Sequence, residues 1–239
     1  MKSNIEKLNR WLLDHLLLIQ LAMRLQMGRR FWLIPMLALA WPAFQSFRLL
    51  VGNGVQGFNE SAAQNILIGF PLYVLAIGMG VRIIAGEIEQ RTLEVTYTVP
   101  GGSQRVWVAK LIAVFAPLML TEALLSVITA IFFTSFPLMA LYGALQGALF
   151  YLVLAMGLGA LFRSELAAAL ACAAILGLNG IANVGRLSPL FNPIAVQNTD
   201  PTEILAWTIQ NRIGYALAIV ALAVLACARA ERRERLLGS

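Results

Sequence analysis

From residue 31 onward, apolar runs long enough to cross a bilayer follow one another with short polar breaks between them. Crossing about 30 Å of hydrocarbon takes about 20 helical residues. Six runs reach that length, at 31–51, 65–84, 106–132, 137–162, 166–184 and 206–228. Only Phe133 to Phe136 separate the third from the fourth, which leaves room for a tight hairpin. Ahead of the first run, Ile5, Leu8, Leu12, Leu16, Ile19 and Met23 recur at steps of three and four, with Lys7, Arg10 and Asp14 on the opposite side. That spacing predicts an amphipathic helix lying in the membrane interface over 1–30. Asp14, His15, Gln20 and Arg24 interrupt it too often for a cleaved signal peptide. The predicted fold is an all-α polytopic membrane protein, with a six-span domain over 31–228 and a basic tail over 229–239.

Composition agrees. Apolar residues make up 59% and charged residues 13%, about half the soluble norm. So little charge does not cover a globular surface, which argues against a soluble enzyme or a disordered chain. The 2 cysteines, Cys172 and Cys227, lie in apolar Ala- and Leu-rich runs and read as packing residues. His15 is the only histidine, so no His or Cys set has metal-ligand spacing. The net charge of +6 sits at the ends of apolar runs rather than along a stripe, which is membrane topology and not nucleic-acid binding. With the amino terminus inside, only Arg48, Arg186 and Arg212 of the 18 Lys and Arg residues fall outside. The positive-inside bias therefore places both termini in the cytoplasm. Trp32, Trp107 and Trp207 then stand at interfacial depths.

The loops differ in kind. Between the fifth and sixth runs, 185–205 holds Pro189, Pro193 and Pro201, which favour turns and short helical pieces. It reads equally as an outer lid or as a plain connection. Between the second and third runs, 86–105 carries Glu87, Glu89, Arg91, Thr92, Leu93, Glu94, Val95, Tyr97 and Pro100. Thr92 suits a helix N-cap, and Pro100-Gly101-Gly102 stops what precedes it. The expectation is an amphipathic helix of about two turns, because a lone strand there would have no pairing partner.

Glu87 with Arg91-Thr92-Leu93-Glu94, then Pro100 and Lys110, resembles the intracellular loop of type-2 ABC exporter permeases. That loop commonly reads as an acidic residue, a Gly-Thr-Leu-Glu core, a Thr-Pro or Ser-Pro stop and a later Lys. Arg91 stands here where the family often has Gly, and Gly101-Gly102-Ser103 where it often has a Ser-Arg pair. The resemblance implies a multi-pass permease subunit in the cytoplasmic (inner) membrane of a prokaryote, paired with a second copy or a related permease. It further implies that Glu87, Glu89, Arg91, Thr92, Leu93, Glu94, Val95, Tyr97 and Pro100 form the coupling loop for two copies of a separate ABC ATPase. The chain itself has no Gly-x-x-x-x-Gly-Lys-Ser/Thr phosphate loop, so ATP and Mg are expected in that partner, with no cofactor here.

Inside the spans, Glu122 is the conspicuous residue, since a carboxylate there costs roughly 2.5 to 3.5 kcal/mol. It suits a cationic substrate group or a proton, or a bond to Gln146 or Asn179 on a neighbouring helix that ties the bundle together. Arg212, near the outer end of the sixth run, reads as a snorkelling, topological residue, which leaves nothing basic at the depth of Glu122. Pro35, Pro42, Pro71 and Pro117 permit kinks. Gly143 with Gly147, and Ala167 to Ala174, present small faces for helix packing. The alternatives to an exporter subunit are an intramembrane lipid-acting enzyme, for which no nucleophile elbow, paired aspartates or clustered histidines are found, and a proton-coupled secondary transporter using Glu122, for which no inverted repeat is found.

Overall fold

The computed structural model describes residues 28, 33–52, 57–92, 103–182 and 185–231. The predicted interfacial helix, the middle of the 86–105 loop and the last residues of the basic tail lie outside the described residues. All regular structure among the described residues is helical, and six stretches are long and apolar enough to cross a membrane.

The first span consists of α1 (Leu33–Ala38) and α2 (Ala40–Leu50). It breaks at Leu39 because Pro42 offers no N–H to the Ala38 carbonyl and its ring crowds that carbonyl. The second span runs over Glu60–Glu89 as α3 (Glu60–Ala62), a π-helical stretch (Ala63–Gly69) and α4 (Phe70–Glu89). It exceeds the predicted 65–84 at both ends, since the polar residues expected to end the helix are satisfied within it. Asn59 caps the start by accepting the Ala62 N–H at 3.1 Å.

The π register has a consequence for packing. Each N–H there reaches the carbonyl five residues back, as Phe70 does to Asn65. The next donor would be Pro71, which has none. The Ile66 carbonyl instead accepts the Trp41 indole N–H at 2.7 Å, and the Trp41 ring packs on Phe70 with centroids 4.5 Å apart. A proline on one span thus determines where the other span docks.

The remaining spans are α5 (Ser103–Phe132), α6 (Leu138–Phe162), α7 (Glu165–Ala182) and α8 (Pro201–Glu231). Between α7 and α8, 3₁₀ turns at Gly185–Leu187 and Pro193–Ala195 follow the proline spacing. Helix α8 starts before the predicted 206, and the connection is correspondingly shorter than 185–205. Pro201 tolerates the first helical position. Asp200 Oδ1 accepts the Thr202 N–H at 2.9 Å and its hydroxyl at 2.8 Å, which holds the Asp200 carboxyl below its usual range.

Helices α4 and α6 form the centre, with α5, α7 and α8 packed around them. They approach closely because Gly80 and Gly159 lack side chains at the crossing: a Cβ on Gly80 would lie 3.0 Å from the Ala155 Cβ, and one on Gly159 3.3 Å from the Ala85 Cβ. Tyr73, Ile83, Ile84, Tyr151 and Leu152 fill the core. The first span and α7 lie at the periphery, with Met36, Leu37, Phe47, Leu166, Leu170 and Ile181 exposed. Hydrocarbon imposes no penalty on such surfaces.

The indole bond yields a test. Trp41→Phe leaves the Ile66 carbonyl unpaired and should destabilise the protein by about 1–3 kcal/mol, seen as a lower thermal midpoint in detergent. Adding Pro71→Ala restores a backbone donor and should recover most of the loss. A double variant as unstable as the single one would refute this account of the contact.

Candidate functional site

Polar side chains concentrate at two levels. The first is the stem of the 86–105 loop, where α4 ends and α5 begins. Helix α4 closes with the Thr92 N–H on the Glu87 carbonyl at 3.0 Å and the Arg91 N–H on the Ile88 carbonyl at 3.2 Å. This pairing is a Schellman end, and it puts Arg91 in the left-handed region at φ 56°. A side chain there costs about 1–2 kcal/mol relative to glycine, a physical reason for Gly at this position in the resembling loops.

The Glu87 carboxylate pairs with Lys110 on α5 and accepts the Thr92 hydroxyl. Lys110 also lies 5.2 Å from the centroid of the Trp107 ring, which is fully buried. Thr92 therefore reaches back to end α4, and the residues it was expected to cap lie outside the described ones. Glu89 Oε1 accepts the Glu165 N–H at 2.8 Å, at the first turn of α7. Glu165 in turn pairs with Arg82 at 3.5 Å. A carboxylate at a helix N-terminus is favoured by the helix dipole as well as by that bond. The loop stem is thereby tied across to α5 and to the start of α7. Of the residues predicted for the loop, Glu87, Glu89, Arg91 and Thr92 are placed here, while Leu93, Glu94, Val95, Tyr97 and Pro100 lie outside the described residues.

The second level is inside the bundle toward the opposite end. Glu122 follows Leu118 and precedes Leu125 on the inward stripe of α5 and is 5% exposed. Its Oε1 has no hydrogen-bond partner among the described residues. Neither amide suggested for it is seen on it: the Gln146 Nε2 donates to the Arg212 carbonyl at 2.6 Å, and Asn179 bonds Tyr151 and Ser188. Arg212 is not a snorkelling residue. With α8 starting at Pro201 it lies eleven residues in, about 16 Å along the axis, and is 8% exposed. Its Nη1 donates to Gln146 Oε1 at 3.2 Å, and its guanidinium lies 5.6 Å from the Tyr142 ring centroid. Glu122, ten residues from the end of α5, therefore has a basic residue at similar depth after all. The buried Tyr73 hydroxyl on α4 is likewise without a hydrogen-bond partner among the described residues.

Gly143 and Gly147 make room for this cluster rather than for a helix backbone. A Cβ on Gly143 would lie 2.6 Å from Arg212 Nη2 and one on Gly147 2.9 Å from the Tyr73 ring. Above the cluster, the 185–200 segment is held by helix side chains that donate to its carbonyls. Gln64 Nε2 and Asn65 Nδ2 reach Phe191 and Leu190 at 2.9 and 3.1 Å. Asn211 Nδ2 reaches both Arg186 and Ser188 at 2.8 Å, and the Tyr215 hydroxyl reaches Leu187 at 2.7 Å. Phe191 and Asn192 are buried, so the segment closes over this end of the bundle as a lid. Sequence reasoning missed Gln64, Tyr73 and Arg212. The signals available were a Gln-Asn pair heading an apolar run and the one charged side chain within 206–228.

No protein-family model, curated protein or solved structure matches this chain.

An unpartnered carboxylate oxygen inside the bundle weakens the fold, so Glu122 is not held there by stability. Glu122→Leu should raise the thermal midpoint, by up to about 1–3 kcal/mol of stability, and Glu122→Gln should leave it nearly unchanged. A marked loss of stability in the Leu variant would show instead that Glu122 ties helices together.

Proposed function

We propose that this chain is the membrane-spanning permease subunit of an ATP-driven ABC exporter of the type-2 class, with both termini and the 86–105 loop in the cytoplasm. Two copies, or one copy and a related permease, would work with two ATPase subunits that hold ATP and Mg. The observation that carries the reading is the locked stem: Glu87, Thr92 and Lys110, prominent in the loop's resemblance, converge in space. A loop that receives force needs rigid anchorage, and this one is joined to α4 and α5 directly and to α7 through Glu89, Glu165 and Arg82. ATPase closure on ATP would move the loop, and the attached helices would shift as bodies. A charge-assisted contact of this sort contributes about 1.5–3 kcal/mol, enough to carry a shift between two packed arrangements. The lid then marks the end at which cargo leaves.

A carrier driven by a proton gradient through Glu122 is the competing reading, supported by the same unpartnered oxygen. The two separate on energy source. Complex formed with the ATPase of an adjacent reading frame, reconstituted in liposomes, should transport with ATP and not with a pH gradient alone. Leu93→Asp places a charge where a groove-filling apolar residue is expected, worth about 1.5–3 kcal/mol if buried. It should release the ATPase or leave hydrolysis uncoupled from transport, while the permease still inserts. Unchanged binding, hydrolysis and transport in that variant would sink the docking assignment. Topology has its own check: single cysteines at Gly54 and Gly102, probed in intact cells with an impermeant thiol reagent, should label at Gly54 only.

A further inference from the structure

A cavity of about 390 Å³ opens where the lid meets α8, outside the polar cluster already described. Its α8 wall is Trp207, Gln210, Asn211, Gly214, Tyr215 and Ala218, which the helical period places on one face. Eleven residues separate the first from the last, about 16 Å along the axis. The opposite wall is Arg186 and Leu187.

The two halves of this groove differ chemically. At the lid end, the exposed Arg186 guanidinium lies 5.4 Å from the Trp207 ring centroid, and no carboxylate is within ion-pair distance of it among the described residues. Its backbone is fixed, because Asn211 Nδ2 donates to the Arg186 carbonyl at 2.8 Å and the Tyr215 hydroxyl holds the adjacent Leu187 carbonyl at 2.7 Å. A guanidinium on a fixed backbone, stacked on an indole, presents donors suited to phosphate oxygens. Deeper along α8, Gly214 faces open space: a Cβ there would meet nothing within 4 Å. Ile209, Ile213 and Leu217 beside the groove are half or more exposed, so this half faces hydrocarbon. A cationic, aromatic mouth above an apolar trough fits an amphiphile, and a soluble anion would leave the trough unused. Glu203 is four residues before Trp207 on the same face and opposes any anion at the mouth.

We propose that this groove binds a membrane lipid with an anionic phosphate headgroup, its phosphate on Arg186 beside Trp207 and one acyl chain along Gly214 and Ala218. The assignment is independent of the exporter reading. Native mass spectrometry of the purified protein, equilibrated with mixed phosphatidylglycerol and phosphatidylcholine, should show a retained phosphatidylglycerol that glycerol 3-phosphate does not displace. Arg186→Gln should weaken that retention about tenfold and remove the headgroup preference, as expected for loss of a charge-assisted contact. Gly214→Leu should lower retention of both lipids by blocking the trough, and Glu203→Gln should strengthen phosphatidylglycerol binding. All three positions lack buried contacts, and matched thermal midpoints would verify that the variants fold. Equal retention of the two lipids by the unaltered protein, or an unchanged preference in Arg186→Gln, would overturn the site. Displacement by glycerol 3-phosphate would overturn it too, pointing to a soluble phosphate as the occupant.

Discussion

Hydrocarbon supplies no hydrogen-bond partners, so each backbone carbonyl at membrane depth needs a donor from the protein itself. Much of the irregular structure in this chain follows from that constraint. Where Pro71 withholds a donor, the Trp41 indole supplies one and brings the first span against the second. Where the connection between α7 and α8 leaves helical geometry, its carbonyls collect donors from Gln64, Asn65, Asn211, Arg212 and Tyr215. The polar side chains near that end of the bundle are thus distributed as the lid backbone demands. Glu122, the Tyr73 hydroxyl and the Gln64 Oε1 exceed the demand, and they mark where the interior is polar without a structural need.

The loop stem meets a different condition. It lies at the ends of the second and third apolar runs, and at such a level an exposed ion pair contributes about 0 to 1 kcal/mol. The Lys110 and Glu87 side chains are only 15% and 20% exposed, and the pair leans on the buried Trp107. Removal of one partner would strand a partly buried charge, so the contact opposes separation of α4 from α5 more strongly than a surface pair does. The Arg82 pair with Glu165 is looser, with Arg82 half exposed. The stem is therefore stiff toward α5 and softer toward α7.

Six spans and the hairpin at Phe133 to Phe136 were legible because apolar length is read directly from sequence. Helix ends were less so, since polarity was taken as a stop signal. Glu87 and Glu89 continue α4 because both are paired, and α8 begins at Pro201 because Asp200 caps it. The same error moved Arg212 outward: a late start for α8 put it at the interface, and the structure puts it against Gln146. Glu122 was legible as an anomaly, but its surroundings depend on which faces of three other helices meet it. Nothing in residues 60–73 taken alone announces the π-helical turn at Ala63–Gly69.

The second span joins the two polar levels, as α5 does through Lys110 and Glu122. The stretch Glu60–Glu89 carries Gln64 and Asn65 under the lid, Tyr73 against Gly147, and Arg82, Glu87 and Glu89 at the stem. Over Phe70–Glu89 it is a regular α-helix with its centre buried against α6, and a packed helix moves as a rod. Its irregular part, Ala63–Gly69, lies between that rod and the lid contacts. A π turn has weaker internal bonding than an α turn, and here Pro71 removes one bond more. Displacement of the rod at its stem end therefore meets least resistance in the π stretch, which bonds the Trp41 indole through the Ile66 carbonyl and the lid through the Gln64 amide. The Gln64 amide bonds the Phe191 carbonyl in the segment that closes the far end of the bundle. The helix thus combines a stiff lever with a yielding joint at the lid, while α7 also touches both ends, through Glu165 at the stem and Asn179 on Ser188 of the lid.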